Sequence, residues 1–161
     1  MDYPFIVRGT SHDVATALLA LAAYPVYRHN PDVGLALAGG ILLGGLLFSP
    51  DLDLAYSKPS RRWGVLRLLW EPYRLFHPHR GDSHTYLYGP MGRLVYFTLL
   101  TIFFAHLFGL FGLSLPPLTL VGPAPLAFFL GYMLGNWLHL AMDGIPPPTL
   151  AFRSRRRRKG M

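Results

Sequence analysis

His139 and Asp143 stand four residues apart in the run GNWLHLAMDG. Residues at that spacing share one face of a helix. An imidazole and a carboxylate set side by side at the end of an apolar helix can ligate a metal ion or hydrogen-bond to each other. Ionisable groups are costly in a membrane helix, and there they usually serve function. Three more groups of His and Asp follow the same pattern. His12 and Asp13 open the first apolar run, Asp51 and Asp53 close the second, and His77, His79 and His84 precede the third. In an up-down bundle of four helices, all four groups fall on the same side.

Asp51 and Asp53 lie in the run FSPDLD. In an extended stretch, residues two apart point the same way. Two carboxylates facing one spot repel unless a cation or proton intervenes; taken alone, the motif also reads as a solvated pair past a helix end. The stretch HPHRGDSH is His-rich, a composition that suits metal but also a surface loop. Asp82 or Ser83 is placed to cap the helix that follows. With no cysteine in the chain, any metal must use imidazole, carboxylate or water. The combined set is His12, Asp51, Asp53, His79, His84, His139 and Asp143. Mixed nitrogen and oxygen donors suit zinc, manganese or iron better than magnesium or calcium, which prefer all-oxygen shells. Seven candidate ligands fit two ions sharing a bridging carboxylate. Such an ion pair, ~3.5–4 Å apart, activates water and clamps both oxygens of an in-line displacement. His106 and Asn136 lie mid-helix and read as a hydrogen bond between the third and fourth helices. His29 lies in the opposite turn and takes no role.

These residues must be positioned by apolar elements. Apolar residues make up 52% of the 161 and charged residues only 14%, against about a quarter charged in a usual soluble domain. Mean hydropathy is +0.31. No Asp, Glu, Lys or Arg occurs from Val33 to Phe48 or from Leu94 to Met142. The pattern predicts an all-α fold: an integral membrane four-helix bundle, with a long loop containing an interfacial helix between the second and third helices. The helices are expected at Asp13 to Tyr27, Asp32 to Phe48, Met91 to Leu113 and Leu126 to Met142. Ser11 would cap the first, and Tyr24-Pro25 would kink or end it. The first is short for a span, which needs ~20 residues. Its apolar run resembles a signal peptide, but cleavage there would discard His12, so that reading is set aside. Gly40 and Gly44 have the four-residue spacing of a close helix–helix seam. The run RRWGVLRLLWEPYRLF reads as an amphipathic helix on a lipid surface, or as a lid over the polar ends of the bundle.

Net charge is +7. The basic residues of the middle segment, Arg8 and a tail from Arg153 to Lys159 all fall on the side of the polar groups. Basic residues mark the cytoplasmic side. The expected topology is therefore multi-pass, with both termini and the site facing the cytoplasm. Residues 1–150 would form the membrane-embedded metal-binding domain and 151–161 the basic tail. That tail is read as a lipid-facing anchor and not as a nucleic-acid binder.

From Ser11 to about Phe97 the chain resembles bacterial membrane proteins of a metal-binding family, most closely in GGLLFSPDLDLAYSKPSRRWGVLRLLWEPYRLFHPHRGDSHT; the resemblance implies a bacterial cytoplasmic (inner) membrane. More distantly it is similar to the membrane-bound metal-dependent hydrolases. Their pattern is Thr-His, Pro-Asp-x-Asp, His-Arg-Gly-x-Thr-His-Ser and His-x-x-x-Asp. In this chain the corresponding residues are Ser11-His12, Pro50 to Asp53, His79 to Thr85, and His139 with Asp143. Ser replaces Thr at positions 11 and 83, and Thr replaces Ser at 85; no candidate ligand is lost. Those families are in turn related to zinc-dependent phospholipase C and fungal single-strand nucleases, which implies phosphoester hydrolysis at a multi-zinc site.

The expectation is thus a membrane-embedded metal-dependent hydrolase with two divalent ions, most simply zinc, acting on a lipid-derived or other phosphoester substrate. Arg80 would stabilise an oxyanion or pair with Asp82. Two alternatives stay open: metal that only staples the helix ends, and metal transport or sensing, which needs a polar path across the bundle.

Overall fold

The computed structural model describes residues 9–76, 82–112 and 121–147, with the Asp82 side chain excepted. Among the described residues every regular element is helical and no strand occurs. Helix α1 spans Gly9–Leu21 and α2 spans Tyr24–His29. The step between them has a local cause. Pro25 has no N–H to donate, so the first helix stops and the chain restarts with Pro25 in its first turn. Because α1 already begins at Gly9, Ser11 lies inside the helix and is not its cap. Helix α3, Pro31–Leu42, starts where the Asn30 side chain accepts from Val33 N–H at 3.2 Å. It runs on as a π-turn over Leu43–Leu47, and the acidic segment follows as a 3-10 turn, Pro50–Asp53.

Helix α7, Ala124–Met142, packs against α3 along a reciprocal glycine seam. A Cβ on Gly40 would run into the carbonyl of Phe128, and one on Gly44 into that of Tyr132. From the other side, Gly131 meets the Leu37 carbonyl and Gly135 the Ile41 carbonyl. The expected seam at Gly40 and Gly44 is therefore present, and α7 supplies the matching half. Gly45 leaves room for Thr16 of α1, so α1, α3 and α7 come together as a group.

The middle segment is not one amphipathic helix. It forms α4 over Lys58–Arg62, a 3-10 stretch Gly64–Trp70 and α5 over Glu71–Phe76. Gly64, just past the end of α4, has φ +55°, a left-handed conformation that glycine adopts without strain, and Pro72 lies in the first turn of α5. The segment folds back as a lid. Trp70 and Tyr73 are fully buried and join Phe48, Leu52 and Tyr132 in the core. Phe48 packs edge-on against Trp63, Trp70 and Phe97, with ring centroids 5.0–5.5 Å apart. The end of the π-turn would leave carbonyls unsatisfied; Arg62 donates to Leu46 O at 2.9 Å and Trp63 to Leu47 O at 3.1 Å.

Helix α6, Tyr88–Gly109, meets this core through its first half. Val95, Leu99, Ile102 and Phe103 farther along are exposed. Its 22 residues are long and apolar enough to cross a membrane. No other described helix passes both tests, and Pro31–Leu47 is apolar but shorter. The four expected helices exist, but they are three packed helices with α6 joined at one end, and the membrane bundle as a whole is not established by length and composition.

Candidate metal centre

The polar groups converge. His12 sits in the first turn of α1 and is 4% exposed. Asp51 and Asp53 come from the Pro50–Asp53 turn. His84 ends a short 3-10 turn, Asp82–His84, separate from α6, so neither Asp82 nor Ser83 caps that helix. His139 occupies the last turn of α7, and Asp143 is its C-cap residue. His79 and Arg80, the Asp82 side chain and the basic tail lie outside the described residues.

Asp143 faces two imidazoles at once. Its Oδ1 lies 3.2 Å from His12 Nε2, and its Oδ2 lies 3.3 Å from His139 Nε2. Asp51 does the same, with Oδ2 3.5 Å from His139 Nε2 and Oδ1 3.6 Å from His84 Nε2. Charge-assisted hydrogen bonds are shorter, ~2.7–2.9 Å. Two ligands each ~2.0–2.2 Å from one tetrahedral ion lie about 3.3–3.6 Å apart, which is the spacing found. His139 Nε2 is buried and, despite its two carboxylate neighbours, has no well-directed hydrogen bond. A lone pair aimed between acids instead of at one suits a cation there. The donor set therefore fits a divalent transition metal. Two three-residue groups have ligand atoms within 4.8 Å of one another: His12, His139 and Asp143, and Asp51, His84 and Asp143. Asp143 belongs to both.

The remaining polar contacts turn the imidazoles inward. Ser49 Oγ lies 3.2 Å from His139 Nδ1. Ser83 Oγ donates to Asp53 Oδ2 at 2.6 Å and lies 3.1 Å from His84 Nδ1. Asp53 Oδ2 is itself 3.4 Å from His84 Nδ1. Each partner occupies one ring nitrogen and leaves Nε2 facing the centre, the usual role of residues behind metal-bound histidines. The His12 and His139 rings stack at 4.1 Å. Trp137 Nε1–H donates to Tyr86 O and Tyr86 O–H donates to Ile145 O, both at 2.7 Å, pinning the segment after His84 to the end of α7.

Burial disfavours charge on these groups, but their mutual attraction outweighs it. Burial alone would lower the His84 pKa; the Asp51 and Asp53 carboxylates beside it raise it to about 9. Burial alone would raise Asp51 and Asp143, yet the neighbouring imidazoles hold both well below the usual carboxylate range.

Sequence spacing did not single out Ser49 or Arg93, and it read Ser83 as a helix cap and not as a partner of His84. Arg93 is completely buried in α6 and donates to Ser83 O at 3.0 Å and to Asn136 Oδ1 at 2.8 Å. The signal was available: Arg93 is the lone Lys, Arg, Asp or Glu of that apolar helix. Asn136 was expected to pair with His106. It pairs with Arg93 instead, one turn before His139, while His106 is exposed on the outside of α6.

A helical scaffold that gathers imidazoles and carboxylates from four separated segments defines a metal-binding protein as a class. The chain belongs to the family described as uncharacterized metal-binding proteins (DUF2227), whose profile matches residues 7–122. His139 and Asp143 lie beyond the matched residues; the packing of α7 brings them to the rest. An uncharacterized protein of Aquifex aeolicus is 49% identical over 57 residues, a stretch covering 35% of this chain and 40% of that protein. No solved structure matches the chain.

Proposed function

We propose that the chain is a membrane-embedded, metal-dependent hydrolase with a two-ion site, acting on phosphoester-type bonds. The observation that carries this reading is the double sharing: Asp143 between His12 and His139, and Asp51 between His139 and His84. Two ligand groups with one residue in common suit two ions joined by a carboxylate. His12, His139 and Asp143 would hold one, and Asp51, His84 and Asp143 the other, with zinc the simplest match to the donors. Bound ions supply Lewis acidity and an activated water. The chain does the rest. Ser49 holds His139, and Ser83 with Asp53 holds His84, so that both present Nε2 to the centre.

A partly open cavity of about 280 Å³ reaches His12, Asp51 and His139. Structural metal sites are closed by their ligands, whereas catalytic ones keep a position free. The cavity therefore favours catalysis over a metal that only staples helix ends. Transport loses its starting point, because His106 and Asn136 do not pair across the helices.

We also infer a multi-pass protein of the bacterial cytoplasmic membrane, with the site and both termini on the cytoplasmic side. The exposed apolar length of α6 and the exposed Val65, Leu68, Leu75 and Phe76 on the outer face of the lid support a lipid environment. In this reading residues 1–150 form the domain and 151–161 a basic anchor.

The test is elemental analysis of detergent-purified protein alongside His139→Ala and Asp143→Ala. About two transition-metal ions per chain, lost in both variants, are expected. Metal-free parent protein sinks the proposal. Phosphodiester turnover by the loaded parent, abolished in Asp51→Asn, separates hydrolysis from binding alone.

A further inference from the structure

The cavity beside the cluster has two chemically different walls. His12, Asp51 and His139 form its inner end, and Tyr56, Lys58 and Arg61 stand at its outer end. The cations around the outer end are unevenly paired. Asp13 takes Arg62 at 2.7 Å and Lys58 at 3.4 Å, and Lys58 also donates to Thr10 Oγ1 at 2.8 Å. Arg74, farther along the lid, is taken by Glu71 at 2.6 Å. Arg61 is exposed, and its guanidinium makes no ion pair or hydrogen bond among the described residues. Lys58 and Arg62 share the one carboxylate of Asp13, while Arg61, on the same cavity wall as Lys58, has no counter-ion among the described residues.

We propose that the outer end of this cavity is an anion subsite that takes a phosphate-type group, with Arg61 as its principal contact and Lys58 as the second. An unpaired guanidinium beside a second cation suits an anionic group. A guanidinium presents paired N–H donors in the fork that fits a phosphate. Ligand pockets usually run from ~300 to ~1,000 Å³, so about 280 Å³ admits a headgroup-sized molecule and not an acyl chain. Thr10 and Asp13 hold Lys58 in place, while Arg61 keeps its donors for the ligand. A molecule anchored here would extend its other end toward His12, Asp51 and His139; that orientation rests on the metal-centre reading, whereas the anion subsite stands without it.

The same phosphate chemistry is offered by a free phosphate compound or by a lipid headgroup. Inorganic phosphate is titrated calorimetrically into the full chain in neutral detergent, and short-chain phosphatidic acid is titrated in a parallel series. Metal content is measured on every sample. Arg61→Gln is expected to weaken binding at least tenfold, Lys58→Met several-fold and Arg61→Lys less than Arg61→Gln, all with parental metal content. Saturable, Arg61-dependent binding of inorganic phosphate points to a soluble ligand; such binding of phosphatidic acid alone points to a headgroup. If neither ligand binds, or if Arg61→Gln and Lys58→Met bind both as the parent does, the subsite is overturned. Arg61-dependent phosphate binding by a protein that holds no metal supports the subsite and rejects the metal centre.

Discussion

Arg93 donates to the side-chain oxygen of Asn136 at 2.8 Å, and both residues are completely out of contact with solvent. The bond ties α6 to α7 one turn from His139. The other arm of the guanidinium holds Ser83 O at 3.0 Å, next to His84. A buried acceptor left without its donor costs about 1–3 kcal/mol. Arg93→Met strands two of them, so a loss of about 3 kcal/mol is expected in detergent-solubilised protein. Asn136→Leu alone should cost less, and the double variant should cost less than the sum, because the two share one interaction. Additive losses in thermal unfolding contradict a coupled pair.

The glycine seam gives a paired test. Gly40→Ala drives a Cβ into the Phe128 backbone and must push α3 away from α7, separating Asp51 from His139. Both stability and metal content should fall. Gly39→Ala, one residue earlier, meets only the edge of the Phe128 ring at 3.9 Å. It should be neutral or stabilising by up to about 1 kcal/mol, since alanine is the better helix former. Equal melting temperatures for the two variants contradict the seam.

Asp51 and Asp53 should behave differently although they are two residues apart. Asp51 presents its oxygens to His84 and His139 at the centre. Asp53 accepts from Ser83 and approaches His84 from its Nδ1 side. Asp51→Asn should lose metal outright. Asp53→Asn should retain it with affinity lowered about 10–100-fold, the usual effect of a residue behind a ligand. Competition against a chelator of known affinity distinguishes the two outcomes.

Metal binding should depend on pH with a definite sign. His84 in the metal-free protein is raised to about 9, so near neutral pH it carries a proton that a metal must displace. Apparent affinity should rise as pH increases from 6 toward 9 and level off above that. Calorimetry in buffers of different ionisation enthalpy should register proton release. Stability of the metal-free protein runs the other way. The His84 contribution is complete below its unfolded value of about 6.5 and is lost as pH rises through about 9. Asp51 and Asp143 have lowered values, so their contribution is present above the usual carboxylate range and is lost on acidification.

The convergence of these His and Asp residues was legible in sequence because their spacing obeys helix arithmetic. His139 and Asp143 at i and i+4 share a face, and the alternation of helix starts and ends puts His12, Asp51 and His84 on their side. The residues that hold these ligands were not legible. Ser49 and Ser83 are common residues whose value lies in which ring nitrogen they reach. Arg93 meets its partners across 10 and 43 residues of chain, a separation no local pattern encodes. Of the two readings of the middle segment, the single amphipathic helix fails, although its Trp, Leu and Arg content fits such a surface, and the lid stands. Gly64 and Pro72 break it into short pieces, and that break lets Trp70 and Tyr73 turn inward.

The π-turn at Leu43–Leu47 has a consequence for the aim of the acidic segment. Each residue of an ordinary α-helix advances the chain by about 100° around its axis. The wider turn holds one residue more than that geometry needs; it contains the last seam glycine of this stretch of chain, Gly44, and closes before Pro50 ends the helical path. It absorbs that extra residue, so the acidic segment leaves the helix at the angle of a regular helix one residue shorter. Deleting Leu46 should restore regular winding and leave Asp51 and Asp53 facing the histidines, whereas the full-length chain wound as regular α-helix throughout would swing both acids roughly a quarter turn away. In this protein the direction in which an acid faces is set by how the last turn of the helix is wound, and not by residue count alone.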